Sequence, residues 1–313
     1  MDFDPKRVVV LLGPTGSGKT ELTTFLASHF DLEIVCMDSM QLYREMVIGT
    51  AMPSPEELHA APSHLFASFS VNEPMTSVRY AELAGAKIGE IQRRGRLPLL
   101  VGGTGMYMQF LFHPRTNLPQ TPDRLRLRLA YLVEKKGMDH LYRLLKRLDK
   151  RSANHLHAGD RQRVQRFLEV RLLTGRSMLD LWDEQASASS AIPCAIGLEV
   201  PRDILWQRLE QRTHTMFASG LVEEARMITK LGLAHQVARI GPIGYRALFA
   251  HLANELSLDD AKQQMYIATR RYAKRQMTWF RKVPYIQWFP YCTRSGYNKD
   301  LIVSSIHRCV ISA

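Results

Sequence analysis

Eight residues near the start of the chain, Gly13-Pro14-Thr15-Gly16-Ser17-Gly18-Lys19-Thr20, fit the phosphate-loop pattern G-x-x-x-x-G-K-[ST] at every fixed position. The glycines let the backbone curl so that successive N–H groups converge on phosphate oxygens. Lys19 adds a full positive charge, and Thr20 offers a hydroxyl to a magnesium ion. An ordinary glycine-rich turn has a similar composition, but the context speaks against it. Val8-Val9-Val10-Leu11-Leu12 directly before the loop reads as a buried parallel strand. Glu21 to Ala27 directly after it reads as a helix with Leu22, Phe25 and Leu26 on one face. The start of that helix contributes partial positive charge, so a di- or triphosphate ligand is expected.

Two further polar positions sit at the ends of apolar runs. Leu32 to Met37 ends at Asp38-Ser39-Met40-Gln41. Ligands of open α/β sheets bind beyond the carboxyl ends of the strands, so Asp38 should share an edge with the phosphate loop. A third strand, Arg96 to Val101, enters Gly102-Gly103-Thr104-Gly105-Met106-Tyr107. It lacks the acidic residue with which phosphate-loop ATPases and GTPases help to hold magnesium. Its paired glycines suit either a ligand approaching the backbone or a tight strand-to-helix turn; the residues leave both readings open.

The elements that must position these residues follow from periodicity. Met52 to Pro74, rich in Pro and Ser, reads as loop with short helical pieces. Thr76 to Arg94 reads as a helix with Tyr80, Leu83, Ala84, Ile88 and Ile91 inward. After the break His113-Pro114-Arg115, three helices are expected. Asp123 to Lys136 carries Leu125, Leu129 and Leu132 and stops at Gly137; His140 to Lys150 carries Leu141, Leu144, Leu145 and Leu148. A third opens at Arg161 with Val164, Phe167, Leu168 and Leu172 inward, and the linker Ala186-Ser187-Ala188-Ser189-Ser190 closes the insertion. Ala195 to Val200 returns to strand, Arg202 to Met216 is helical with Arg208 and Arg212 on one face, and Gly241 to Arg246 is a loop. Ser257 caps the last long helix, with Asp260 three residues on. The fold class is therefore α/β: a P-loop NTPase-like parallel sheet flanked by helices (1–114 and 193–313), with an inserted all-helical domain (115–192).

Composition narrows the function. The chain has 313 residues, 45% of them hydrophobic, enough for a sizeable core. No apolar stretch approaches the length of about 18 residues needed to cross a membrane, and the start lacks a secretion-signal layout. Cys36, Cys194, Cys292 and Cys309 form no Cys-x-x-Cys pair, which argues against a disulfide framework or zinc site and suits a reducing cytoplasm. His-Glu-x-x-His, Gly-x-Ser-x-Gly and His-Arg-Asp are absent. The net charge of +12 is concentrated: fifteen Lys/Arg against five Asp/Glu lie between Arg124 and Arg176. Although charge runs are usually solvated helix surface, this concentration beside a phosphate loop points to nucleic acid.

Taken in order, the motifs resemble one family, the bacterial-type tRNA dimethylallyltransferases (tRNA isopentenyltransferases). They are GPTGSGKT at Gly13–Thr20, DSMQLY with GTAMPS between Asp38 and Ser54, LLVGGTGMY at Leu99–Tyr107 and RQRVQRFLEV at Arg161–Val170, joined by RTHTMFASGLVEE from Arg212, GPIGYRAL around Tyr245 and TRRYAKRQMTWFR at Thr269–Arg281. The chain departs from the family at Ala158-Gly159-Asp160, where Asn-Asp-Pro is common, and lacks the zinc-finger tail of some eukaryotic relatives.

The resemblance implies transfer of a dimethylallyl group from dimethylallyl diphosphate to the exocyclic amino group of the adenine 3′ of the anticodon, in tRNAs reading codons that start with U. It implies that Gly13, Pro14, Thr15, Gly16, Ser17, Gly18, Lys19, Thr20 and Arg212 hold the diphosphate, with Mg2+ on Thr20. Asp38 matches the family's base and Thr104 the residue that orients the amino group. For tRNA it implies Asp38, Ser39, Met40, Gln41 and Thr104 around the base. Further contacts are implied at Arg126; at Gln162, Arg163, Val164, Gln165 and Arg166; at Gly241, Pro242, Ile243, Gly244, Tyr245 and Arg246; and at Arg270, Lys274 and Arg275. A cytoplasmic monomer is expected. Rival readings are a free-nucleotide isopentenyltransferase, a phosphate-loop kinase and a non-catalytic RNA-binding protein. The large basic insertion, the acid-free third strand and the intact phosphate loop, respectively, disfavour them.

Overall fold

A computed structural model describes residues 3–113, 118–186 and 192–311. The chain divides into two compact units, Met1–His113 with Ala191–Ala313, and Pro114–Ser190. Arg115 and residues 187–190 of the expected linker lie outside the described residues.

The first unit runs β1 (Val9–Leu12), α1 (Lys19–Ala27), β2 (Leu32–Cys36), α2 (Pro55–His59), β3 (Ser63–His64), α3 (Ser77–Arg93), β4 (Leu97–Gly102) and α4 (Gly105–Phe112). The second holds α5 (Asp123–Lys136), α6 (Met138–Leu148), α7 (Lys150–His155), α8 (Arg161–Thr174) and α9 (Met178–Ala186). The first then resumes with β5 (Cys194–Glu199), α10 (Arg202–Ala218), α11 (Leu221–Lys230), α12 (Ala234–Ile240), α13 (Tyr245–Leu252), α14 (Leu258–Phe280), β6 (Gln287–Pro290) and α15 (Lys299–Ile311).

The strands form one parallel sheet in the order β3-β2-β4-β1-β5-β6. β1 lies at its centre and is apolar without alternation because both its faces are covered. Val8, Val10 and Leu12 pack with Tyr80, Ile88, Phe112 and Phe280. Val9 and Leu11 pack on the other face with Leu22, Leu26, Leu209 and Ile302. Each fully buried aliphatic side chain stabilises the fold by about 1.5–3 kcal/mol. The register sets Leu12 beside Gly102 of β4 and Gly197 of β5, so the phosphate loop leaves the sheet level with the turn after β4. One charged side chain is buried in the sheet. Glu33 on β2 accepts from Arg94 Nε at 2.8 Å and Nη2 at 2.7 Å, and meets His64 Nε2 at 2.6 Å. Hydrogen bonding from Arg94, then from His64, outweighs burial and holds its pKa down to about 2.

In the second unit Leu129, Leu141, Leu145, Val164, Phe167 and Leu168 form a separate core. Asp160 caps α8 by accepting from the Arg163 N–H, and Gly175, with φ of +70°, ends it in the left-handed conformation. Leu148 and Leu172, expected inward, are 38% and 46% exposed. The helix expected to Lys150 stops at Leu148 because the Asp149 side chain caps a new helix, accepting from the Ser152 N–H. The short helices α7 and α9, and in the first unit β3, α4, α11, α12, α13, β6 and α15, are additions to the expected elements; α14 is followed by another helix.

Candidate active site

The phosphate loop, the segment after β2, α10 and α14 enclose a cavity of about 340 Å³, walled by Thr15 to Thr20, Asp38, Gln41, Arg208, Arg212 and Gln276. At Gly16 and Gly18, φ of +81° and +89° gives the backbone curl that the glycine pattern requires. Gly13 and Pro14 anchor Lys19, whose Nζ donates to their carbonyls at 2.9 and 3.0 Å. An ammonium has three donors, so one remains for a ligand. Burial pulls the Lys19 pKa down to about 8; Asp38 works against that shift and Arg212 adds to it. Burial likewise lowers the Arg212 pKa, opposed by Asp38. The three groups share one field, with a carboxylate at the edge of a site built for an anion. Ser17 is wholly buried, its hydroxyl has no partner, and its carbonyl accepts from the Tyr297 hydroxyl at 2.8 Å.

Asp38 lies just beyond β2, its Oδ1 accepting from the Met40 N–H at 2.9 Å. Thr104 lies just beyond β4. Its N–H donates to the Met37 carbonyl at 3.2 Å and its Oγ1 accepts from the Ser39 N–H at 2.9 Å. The two strand ends therefore hold Asp38 and Thr104 side by side. Gln41 Nε2 donates to the Thr50 and Ala51 carbonyls at 3.2 and 2.8 Å.

The glycines after β4 serve protein contacts. A Cβ at Gly102 would stand 2.1 Å from the Met37 carbonyl oxygen, and one at Gly103 would stand 2.0 Å from Gln276 Nε2. Gln276, buried on α14, accepts from the Thr15 N–H at 2.9 Å and donates to the Gly103 carbonyl at 2.9 Å. One side chain thus ties the phosphate loop to the turn after β4. Burial raises the pKa of the neighbouring Tyr272 phenol, partly offset by hydrogen bonding from Thr104 and Gln276.

Sequence reasoning missed Gln276 and Tyr272 as parts of this site, having assigned from this stretch only Arg270, Lys274 and Arg275, and those to tRNA. It also missed Arg208, whose guanidinium lies 4.2 Å from the Tyr291 ring centroid; the available signal was its position one turn before Arg212.

The residues expected to meet tRNA divide into surface and core. In the second unit Arg126, Gln162 and Arg163 are exposed, Arg163 pairing with Asp160 at 3.3 Å. Val164 is 0% exposed and belongs to that unit's core, which corrects its expected role. Gln165 donates to Glu169 at 3.1 Å. Arg166 is held by Thr121 Oγ1 at 2.7 Å, the Pro119 carbonyl at 3.0 Å and Glu169 at 3.5 Å, so it braces the unit.

In the first unit, Gly241 ends α12 and Gly244 begins α13, with Pro242 buried and Ile243 half-buried between them. Tyr245 is no loop residue: it opens α13 at 0% exposure, so its side chain is unavailable to RNA. Arg246 is exposed. On α14, Lys274 and Arg275 are exposed, while the half-buried Arg270 guanidinium lies 4.8 Å from the Trp206 and 5.4 Å from the Tyr266 ring centroids.

For magnesium, the cavity offers the Thr20 hydroxyl and the scattered carboxylates of Glu21, Asp38 and Glu57. Among the described residues no group of three or more His, Cys, Asp or Glu could cage a metal. Such a donor set does not cage a metal by itself but is compatible with a hard, strongly hydrated cation such as magnesium, which keeps several waters and needs few protein ligands.

Comparison with known proteins matches residues 41–283 to the family model described as IPP transferase. A tRNA dimethylallyltransferase of Geobacter sulfurreducens is 40% identical over 286 residues, covering 91% of this chain and 92% of its own. That of Bacillus licheniformis is 36% identical, covering 90% of each. Among solved structures, the tRNA isopentenylpyrophosphate transferase of Bacillus halodurans superposes with a TM-score of 0.71 at 32% identity, over 97% of both chains. A eukaryotic dimethylallyltransferase described as acting on tRNA gives 0.77 at 28% identity, over 92% of this chain and 74% of its own. With the family model spanning most of its length and relatives this similar covering nearly all of it, the chain belongs to the IPP transferase family.

Proposed function

We propose that the chain transfers the dimethylallyl group of dimethylallyl diphosphate to the exocyclic amino nitrogen of the adenine 3′ of the anticodon, in tRNAs reading codons that begin with U. The observation that carries this reading is the cavity in which Lys19, Arg212 and the loop amides adjoin Asp38. The adenine amino group is a poor nucleophile because its lone pair is delocalised into the ring. As that nitrogen bonds to the allylic carbon, the carbon–oxygen bond breaks and its electron pair leaves on the bridging oxygen of diphosphate. Asp38 takes the proton released by nitrogen. Thr104 fixes the segment carrying Asp38 through the Ser39 amide. Lys19, Arg212 and the loop N–H groups stabilise the charge on the leaving group. Thr20 would hold a magnesium ion, which when bound would neutralise further charge on the leaving diphosphate. The exposed Arg126, Gln162, Arg163, Arg246, Lys274 and Arg275 contact the tRNA backbone, and the target base leaves its stack to reach Asp38.

With tRNA as acceptor, the reaction takes place in the cytoplasm. Among the described residues no helix is long and apolar enough to cross a membrane. The test is incubation with labelled dimethylallyl diphosphate and either tRNA, AMP or ATP. Label is expected in tRNA only; label in AMP, or ATP consumption, overturns the assignment. Asp38→Ala should abolish turnover while leaving tRNA affinity within about threefold, and a near-normal single-turnover rate removes Asp38 as the base.

A further inference from the structure

Outside the cavity, one carboxylate is bound as an anion ligand would be. Glu224 on α11 reaches the segment 47–51. Its Oε2 accepts from the Val47 and Ile48 N–H groups, both at 2.7 Å, and its Oε1 from the Gly49 N–H at 3.0 Å. The buried Tyr245 hydroxyl completes the set at 2.5 Å on Oε1. Three successive backbone donors converging on one carboxylate form a nest, a strong and directional anchor. The fit is close on the far side too, since a Cβ at Gly49 would stand 2.5 Å from the Tyr245 hydroxyl.

The anchored segment has a second attachment. Its next two carbonyls, of Thr50 and Ala51, accept from Gln41 Nε2, and Ala51 is held at φ of +47°, which an alanine rarely adopts. The Gln41 backbone is fixed independently through its main-chain carbonyl, which accepts from the Ala67 N–H at 3.0 Å. Gln41 lines the cavity beside Asp38; Glu224 does not. The side chain of Gln41 therefore points where the segment 47–51 holds it, and that segment stands where Glu224 holds it.

We infer that Glu224 is a positioning residue for the acceptor base, acting through the segment 47–51 to aim Gln41, with Tyr245 fixing its carboxylate. The inference rests on the proposed function, taken with the family resemblance that places Gln41 beside the target adenine. Its chemistry calls for a carboxylate. A glutamine at 224 has one acceptor oxygen for four donors and turns an NH₂ group toward N–H groups.

A double-mutant cycle of Glu224→Gln and Gln41→Ala tests it, read as kcat/KM for tRNA beside the Kd of inorganic pyrophosphate for each protein. Glu224→Gln is expected to lower kcat/KM for tRNA by about tenfold to a hundredfold, as a misplacement near 1 Å does. Pyrophosphate Kd should stay within about twofold, and in the Gln41→Ala background the Glu224→Gln effect should shrink below about threefold. Additive effects overturn the inference. So does a pyrophosphate Kd that worsens in step with tRNA kinetics, since that marks general loss of structure. If Gln41→Ala alone leaves tRNA kinetics unchanged, the base contact assigned to Gln41 fails, and the route from Glu224 fails with it. Should Glu224→Gln not fold, Tyr245→Phe carries the same cycle; it keeps the buried ring, removes one donor, and must show the same coupling to Gln41 at smaller size.

Discussion

Replacing Gln276 by leucine tests whether one side chain couples the phosphate loop to the turn after β4. The substitution keeps the approximate volume and deletes two hydrogen bonds. The Gly103 carbonyl lies in a buried contact and is left without its donor, which costs about 1–3 kcal/mol. Thr15 itself lines the cavity and its hydrogen bond is only part-buried, so water can replace the lost acceptor and the loss is nearer the net value of about 0.5–1.5 kcal/mol. The sum is about 1.5–4.5 kcal/mol, or roughly 3–9 °C in Tm for a unit of this size at its midpoint. Freed from Gln276, the loop must also be ordered by its ligand, so pyrophosphate should bind more weakly. Gly103→Ala should reproduce both effects, because its Cβ would stand 2.0 Å from Gln276 Nε2 and displace it. The double variant should then be little worse than either single one. Thermal melting and calorimetric titration with pyrophosphate read the result. A Tm within about 1 °C of the parent's, with unchanged pyrophosphate affinity, would refute the coupling.

Three other outcomes follow from the same structure. Because burial lowers the Lys19 pKa to about 8, its charge is lost as pH rises through that value, and pyrophosphate affinity should fall above pH 8. Lys19→Met should abolish that pH dependence, and titration between pH 7 and 9.5 checks it. The sign for stability is opposite: the unfolded chain keeps the lysine proton to higher pH, so this group makes folding more favourable as pH rises from about 8 toward 10.5. Glu33, with its folded pKa depressed to about 2 from 4.5, contributes up to about 3 kcal/mol above pH 4.5. That contribution is lost as pH falls through this window, so Glu33→Gln should lower stability at pH 7 and flatten its acid dependence in denaturant titrations. Finally, Arg163→Ala should reduce the salt slope of tRNA binding by about 1 with Tm unchanged, whereas Arg166→Ala should destabilise the second unit, its guanidinium being held by Thr121, Pro119 and Glu169.

The phosphate loop, Asp38 and Thr104 were legible because their signals are local: a short fixed spacing, or a polar residue directly after an apolar run. Register does the rest, since parallel pairing of β2, β4 and β1 brings those ends together. Gln276 and Glu224 carried no such mark. They meet partners 261 and 175 residues away, and a glutamine in a basic helix or a glutamate in an acidic first turn looks like solvated surface. The same ambiguity misled the reading of Val164 and Tyr245, which a family motif placed against RNA although apolar periodicity already marked Val164 as inward. β6 was missed because Gln287-Trp288-Phe289-Pro290 is short, lacks alternation and ends in proline, as an edge strand can. The paired glycines after β4 were undecidable in sequence, since only the placement of Met37 and Gln276 tells a protein contact from a ligand contact.

The hydroxyl of Tyr297 on the Ser17 carbonyl has a consequence for biosynthesis. The two residues are 280 positions apart, so the phosphate loop leaves the ribosome long before the side chain that fastens it exists. At about 5–20 residues per second, that interval is roughly a quarter of a minute to a minute. For roughly the first two thirds of it, until residue 199 has emerged, β1 also lacks β5, one of its two neighbours. The donor pocket is thus among the last parts of the first unit to become complete, while the second unit, encoded wholly within residues 114–190, can close its core earlier. A nascent chain halted before Tyr297 should therefore show a folded insertion and a phosphate loop still open to proteases.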